Sequence, residues 1–192
     1  MKELSTGVTD HVTALNRVLT NVKARGTWAE VQLESILDET IPQRYERNWA
    51  PRPNSSERVE FAVRLPASDE NGADTFLPID SKFPGDAYEH LLDAQESGDA
   101  ETVAAARKTL DTMVKREAKD ICEKYLSVPA TTNFGIMFVP FEGLYAEVVS
   151  RSGLIETLGR DYHVNVAGPS TMAAILNSLQ TVSYTHLTLP TN

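Results

Sequence analysis

From Arg58 to Leu65 the chain reads R-V-E-F-A-V-R-L, with apolar residues at every second position. That period puts Val59, Phe61, Val63 and Leu65 on one face of a β-strand and Glu60 and Arg64 on the other. Phe76 to Lys82 (F-L-P-I-D-S-K) predicts a second strand, with Leu77 and Ile79 on one face and Asp80 and Lys82 on the opposite one. The loop from Pro66 to Thr75 joins the two most simply as an antiparallel hairpin. Phe134 to Val139 (F-G-I-M-F-V) is apolar throughout, the pattern of a strand covered on both faces. His163 to Ala167 predicts one more short strand.

A helical period fills the rest. Val8, Val12, Leu15, Leu19 and Val22 are spaced by four, three, four and three, an a/d seam. Residues 1–24 therefore read as the end of a coiled coil or as an ordinary amphipathic helix. Gly26 is expected to end that helix. T-W-A-E at 27–30 is expected to open the next one as a capping box, with Glu30 at its third position. This helix should run to about Asp38 and give way to a loop containing Pro42, Arg44, Arg47, Pro51, Arg52 and Pro53. Residues 86–126 predict one long acidic helix, or a pair broken at Gly98–Asp99. Further helices are expected over 142–151, near 154–158 and from about Ser170. The order α-β-β-α-α-β-α-β-α gives an α/β (α+β) fold class, a mixed sheet flanked by helices.

The amphipathic pattern after Pro169 stops near Gln180. The uncharged segment that follows, V-S-Y-T-H-L-T-L-P-T-N, resembles one translated frame of a sequencing adapter. Residues 182–192 are therefore read as a non-native tail, and 25–181 as a domain shortened at its C-terminus.

Charge narrows the classes of function. Lys and Arg number 18 against 27 Asp and Glu, a net charge of −9. Such a chain does not coat nucleic acid by bulk positive charge, although a nuclease, whose metal site needs acids, is not excluded. The single cysteine, Cys122, excludes an internal disulfide and a cysteine-based zinc cage. No apolar run approaches the length of a membrane span and the start lacks a signal-peptide core, so a cytoplasmic setting is expected.

The hairpin brings candidate chemistry together. If Glu60 lies opposite Asp80, Arg58 falls opposite Lys82 and Arg64 opposite Phe76, and Glu60, Asp80 and Lys82 share one face. A one-residue slip would set charges against the core, so the pattern favours this parity. Two carboxylates a few ångströms apart are hard oxygen ligands for Mg²⁺. Such a metal lowers the pKa of a bound water and offsets charge on a phosphate, while a lysine beside it can orient that water or stabilise the oxyanion. The plain alternative is a cross-strand ion pair on the wet face of a sheet, worth well under ~1 kcal/mol. Glu30 shares a helix face with Leu33 and Leu37 and leans toward the sheet, as a further ligand or base, unless the capping box holds it. Glu34 is its substitute. The one locally basic stretch holds Arg44, Arg47, Arg52, Arg58 and Arg64, a fit for contacts to a nucleic-acid backbone. Trp49 beside it is either a base-stacking ring or a packed one. Ser170 and Thr171 at a helix start suit a phosphate or, more simply, capping.

G-T-W-A-E-V-Q-L-E-S-I-L (26–37), V-E-F-A-V-R-L-P (59–66), L-P-I-D-S-K-F-P-G-D-A-Y-E (77–89), F-V-P-F-E (138–142) and G-P-S-T-M-A-A-I-L (168–176) together resemble the RmuC-type DNA recombination protein family. The resemblance covers about 20 to 180 in the family's order. It implies a nuclease-like PD-(D/E)XK fold and a role in DNA recombination, limiting rearrangement at inverted repeats. Asp80 and Lys82 match the (D/E)XK element. Glu60 takes the place of the first acid, and Glu30 matches the helical glutamate of the W-x-E element. The chain departs from the pattern in having V-E-F rather than P-D; a glutamate can still ligate Mg²⁺, but its longer arm would move the metal. No role carries over to Glu142, which is expected to charge the first turn of its helix.

The implied activity is a Mg²⁺-dependent DNA endonuclease, with Mn²⁺ as a substitute metal, acting on branched, hairpin or inverted-repeat DNA. The resemblance also implies a longer protein with an N-terminal membrane anchor facing the cytoplasm and a coiled coil through which copies associate. The alternatives are a catalytically inactive nuclease fold that binds DNA structures, and a coiled-coil module that binds protein partners.

Overall fold

The computed structural model describes residues 22–67 and 72–187. The expected coiled-coil segment up to residue 21, loop residues 68–71 and the last five residues of the expected tail lie outside them. The described residues form five strands and six helices. The strands are β1 (Tyr45–Trp49), β2 (Val59–Leu65), β3 (Thr75–Ser81), β4 (Gly135–Phe138) and β5 (Val164–Ala167). The helices are α1 (Val22–Thr40), α2 (Gly85–Ser97), α3 (Ala100–Tyr125), α4 (Glu142–Val149), α5 (Ser152–Tyr162) and α6 (Pro169–Leu187).

One mixed sheet runs in the order β1-β2-β3-β4-β5. Its first two pairings are antiparallel and its last two parallel. The β2–β3 hairpin pairs Phe61 with Ile79, Val63 with Leu77 and Arg64 with Phe76. Carried one residue further, this register sets Glu60 opposite Asp80, as the alternation predicts.

The two faces of the sheet bury different cores. One packs Phe61, Val63, Leu77, Ile79, Ile136 and Phe138 against Leu33 and Leu37 of α1, Ile41 just after it, and Met172 and Leu176 of α6. The other packs Met137, Val139 and Val164 against apolar residues of α2, α3, α4 and α5, among them Leu91, Leu110, Val114, Ile121, Leu144 and Leu158. Strands covered on both faces explain the uninterrupted apolar run of β4, all four of whose residues are buried.

Three expectations are corrected. The arginine- and proline-rich stretch after α1 is not all loop, because β1 lies within it as an edge strand. Its sequence, Y-E-R-N-W, has three exposed central positions and a left-handed Asn48 (φ 49°), so it carries no apolar alternation to announce it. Gly26 does not end a helix. The helix runs through it because Arg25, Ala29, Leu33, Leu37 and Ile41, four residues apart, are all buried on one stripe. That packing outweighs the ~1 kcal/mol cost of one helical glycine, and with Thr27 inside the helix the expected N-terminal capping box does not form. Finally, α6 continues past Gln180 to Leu187, since neither glycine nor proline interrupts the chain between Pro169 and Pro190.

The break at Gly98–Asp99 is present. Gly98 adopts a left-handed φ of 71° to end α2, and Asp99 caps α3 by accepting from the Thr102 N–H at 3.0 Å. Pro78 occupies an unusual place in a central strand. It pairs with Ala62 of β2, but β4 joins β3 only from Ile79 onward. Below it, Phe76 donates to Ala130 O and accepts from Thr132 N instead. The proline thus sits where no ladder bond is required of its nitrogen. Among the described residues no helix is long and apolar enough to cross a membrane.

Candidate active site

β3 runs parallel to β4, and its C-terminal end opens into a cleft before the chain turns into α2. Ends of parallel strands leave such crevices because the chain must leave the sheet there. The cleft encloses about 340 Å³, lined by Arg25, Gly26 and Ala29 of α1, Glu60 of β2, Ser81 of β3, Lys82–Asp86 beyond it, and Met113, Arg116 and Glu117 of α3. Two of the four sequence-predicted catalytic residues, Glu60 and Lys82, line it directly.

Asp80 does not line the cleft; it is buried, 1% exposed, and its Oδ2 lies 2.8 Å from Lys82 Nζ. Lys82 Nζ also lies 3.9 Å from Glu117 Oε2, and Glu117 in turn meets Arg116 at 3.0 Å. Glu60 Oε2 accepts two hydrogen bonds from Ser81, from the backbone N–H at 2.8 Å and from the hydroxyl at 2.5 Å. The hairpin register and the alternation of β3 are what bring these side chains to one face.

Burial dominates the electrostatics. It pushes Glu60 up to about 7, and the neighbouring Asp80 charge pushes the same way, while the Ser81 donors pull it down. Burial also raises Asp80, with Lys82 opposing. For Lys82, burial favours the neutral amine, but the Asp80 carboxylate overrides it and the ammonium is held more firmly than usual. Tyr125, on the same face, is pushed up to about 12 by burial and then by Asp80.

Glu30 is half-buried and contributes only a small upward push on Glu60. It does not line the cleft. Glu34 is engaged elsewhere, 2.8 Å from Arg47. Among the described residues no three His, Cys, Asp or Glu side chains converge as a metal cage. Mg²⁺ needs fewer, since it keeps several waters and takes one or two carboxylates. Glu60 and Asp80 supply hard oxygens, and both resist ionisation, a cost that a cation between them would offset. Asp80 Oδ2 is at the same time engaged by Lys82.

The five arginines expected to contact a nucleic acid do not gather at the cleft. Arg47 pairs with Glu34 and lies 5.7 Å over the Phe61 ring. Arg52 caps the end of α3 by donating to Glu123 O and Leu126 O, both at 3.0 Å. Arg58 donates to Ser55 O and Glu57 O. Arg64 lies 4.0 Å from Asp74, and the half-buried Arg44 accepts from the Arg64 N–H through its carbonyl. Trp49 stacks on Phe76 with centroids 4.5 Å apart, which is the packed alternative. Glu142 does stand in the first turn of α4, and its Oε1 also accepts from the Ser170 N–H at 2.6 Å. That bond uses the backbone donor the phosphate reading of Ser170 required.

The cations that do line the cleft besides Lys82 are Arg25 and Arg116. Sequence reasoning missed both. Arg25 had a signal, because it occupies the first position of the buried i+4 stripe of α1. Arg116 and Glu117 had none beyond an ordinary charged helix.

Comparison with known proteins places the chain among relatives of one family. The chain is 52% identical over 181 residues to the DNA recombination protein RmuC homolog of Xylella fastidiosa (strain Temecula1), covering 94% of this chain and 39% of that protein. It is 27% identical to the homolog of Chlamydia muridarum, over 89% of this chain and 37% of the relative. Identity to the homolog of Haemophilus influenzae is 23%, over 82% and 35%. The chain thus spans about two fifths of the length of the relatives it matches. No solved structure gives a significant match. The RmuC family profile matches residues 1–187, and the chain belongs to the RmuC family.

Proposed function

We propose that this segment is the nuclease-fold domain of a DNA recombination protein and hydrolyses phosphodiester bonds in DNA with the help of Mg²⁺ or Mn²⁺. The observation that carries the reading is the convergence of Glu60, Asp80 and Lys82 on one face at the end of β3, where Glu60 and Lys82 line a cleft and the buried Asp80 pairs with Lys82. Glu60 and Asp80 would hold the cation, which when bound supplies an activated water and charge for the phosphate. Lys82 then has two tasks. Its ammonium opposes the upward push that burial gives Asp80, and it presents positive charge toward a phosphate oxygen in the cleft. Ser81 fixes the Glu60 carboxylate through one oxygen, Oε2, and Glu60 lines the cleft. DNA with branches, hairpins or inverted repeats is the substrate class that the family's recombination role favours.

The test is cleavage of supercoiled plasmid and of a DNA hairpin with Mg²⁺, with Mn²⁺ and with chelator. Wild type should cut only with metal, and Asp80→Asn and Lys82→Ala should each lose the activity. Unchanged cutting by both variants sinks the assignment.

A second reading has its own support. Asp80 is already neutralised by Lys82 and Glu60 is held by Ser81, so the cluster is electrically settled without a metal. An inactive nuclease fold that binds DNA structures would look like this. It predicts salt-sensitive hairpin binding with no cleavage in either metal.

A further inference from the structure

Arg25 stands where the apolar stripe of α1 would continue, and it is 4% exposed. Its guanidinium lies against the first turn of α2. A Cβ on Gly85 would come within 2.4 Å of Arg25 Nη1, so only glycine leaves it room. Nη2 donates to Asp86 Oδ1 at 2.6 Å, but Nη1 is buried with no hydrogen-bond partner. An orphaned arm of a charged group is costly, and folded proteins rarely keep one unless something else supplies the acceptor.

Two features indicate what that acceptor is. The Asp86 side chain is 69% exposed, so the acid facing Arg25 is largely in water and cancels little of its charge. The start of α2 also lacks a side-chain cap, because Pro84 at the cap position makes no side-chain hydrogen bond. The Gly85 N–H is taken by Phe83 O at 2.7 Å, and the N–H groups after it carry the positive end of the helix dipole toward the same corner. Lys82 and Arg116 line the same cleft.

We propose that Arg25 and the start of α2 form a phosphate subsite, which takes a backbone phosphate of a nucleic-acid strand beside Glu60, Asp80 and Lys82. A phosphate oxygen supplies the acceptor that Nη1 lacks, and a second oxygen joins or replaces Asp86 at Nη2. The planar guanidinium fork suits this two-point contact, which a lysine cannot reproduce. The inference rests on the nucleic-acid reading above and assigns a residue to holding the strand rather than to cutting it.

The experiment is done in chelator, so that no hydrolysis intervenes. Fluorescence anisotropy reads the affinity for a labelled single-stranded oligonucleotide across a salt series, and calorimetry reads binding of pyrophosphate. Arg25→Lys should bind the strand about tenfold more weakly, with the slope of log K against log salt little changed, because the charge is kept and only the two-point contact is lost. Gly85→Ala keeps every charge but displaces the guanidinium, and should weaken binding to a similar degree. Thermal melts establish that both variants are folded. Wild-type affinity in both variants, or no binding of either probe to wild type, overturns the subsite. Equal, Arg25-dependent affinity for pyrophosphate and the strand would give the site to a free phosphate and overturn its assignment to a strand. Metal-dependent, Asp80-dependent cleavage alongside wild-type binding by Arg25→Lys would sink this subsite and leave the nuclease reading intact. Arg25-dependent binding with no cleavage in any metal would do the reverse.

Discussion

Two clusters of charge flank α3, and they are built on opposite plans. Between α3, α4 and α5, Arg151 lies 2.7 Å from Asp111 and 2.5 Å from Glu147, and Glu147 also takes Arg107 at 2.9 Å. Two guanidiniums meet two carboxylates, and the result fastens three helices together. At the cleft, Glu60, Asp86 and Glu117 stand with Arg25, Lys82 and Arg116, Asp80 lies buried against Lys82, and Arg116 is engaged by Glu117. Among the described residues Glu60 has no cation within ion-pair distance, only the Ser81 donors. The first cluster is balanced and crosses between helices. The second has one carboxylate in excess, sits at a strand end, and shifts Glu60 and Asp80 toward neutrality. A cluster kept for packing has no reason to keep that excess, and one kept for binding a cation does.

The sharpest separation of the two is functional. Asp80→Asn should lower metal-dependent DNA cleavage by roughly a thousandfold, about 4 kcal/mol of barrier, while Arg151→Ala should leave cleavage per folded molecule unchanged. Equal losses in both would erase the distinction.

The next difference is in pH. Glu60 titrates near 7 in the folded chain against 4.5 ordinarily, so the folded state keeps a proton that the unfolded chain releases between those values. Stability is full below about pH 4.5 and falls as pH rises toward 7, by on the order of 3 kcal/mol. Urea denaturation at a series of pH values should show that decline in wild type and lose it in Glu60→Gln. An equal slope in both would remove Glu60 as its source.

Third, Arg151→Ala leaves Asp111 and Glu147 short of a partner in a largely buried setting, and should cost about 2 kcal/mol, or roughly 5 °C in Tm by calorimetry. The smallest effect is expected at Arg160, which meets Asp161 at 2.7 Å with its side chain 63% exposed. Arg160→Ala should not move Tm measurably, because water already solvates that pair.

Much of the site was legible because one short-range rule governs it. Alternation in Val59–Leu65 and Phe76–Ser81 determined the face of every side chain, and a buried face permits only one register parity. Glu60, Asp80 and Lys82 follow from that alone. Arg25, Arg116 and Glu117 arrive from helices whose approach to the sheet depends on packing over long sequence separations, which no local pattern encodes. The arginines after α1 show the converse. They cluster in sequence, yet β1 places Arg47 beside Glu34 and the following turn sends Arg52 to the end of α3. The capping box at Thr27 failed because a buried stripe four residues apart outweighed a local end signal.

Pro78 divides β3 into two segments with different attachments. Thr75 and Phe76 are held by the 130–132 turn, while Ile79 to Ser81 are held by β4. The proline has no amide hydrogen to exchange and no bond on that edge to break. Fraying that starts at the loop end therefore meets a discontinuity before it reaches Asp80. The strand works as two grips on one rod, and the grip nearer the cleft keeps its hold when the other lets go.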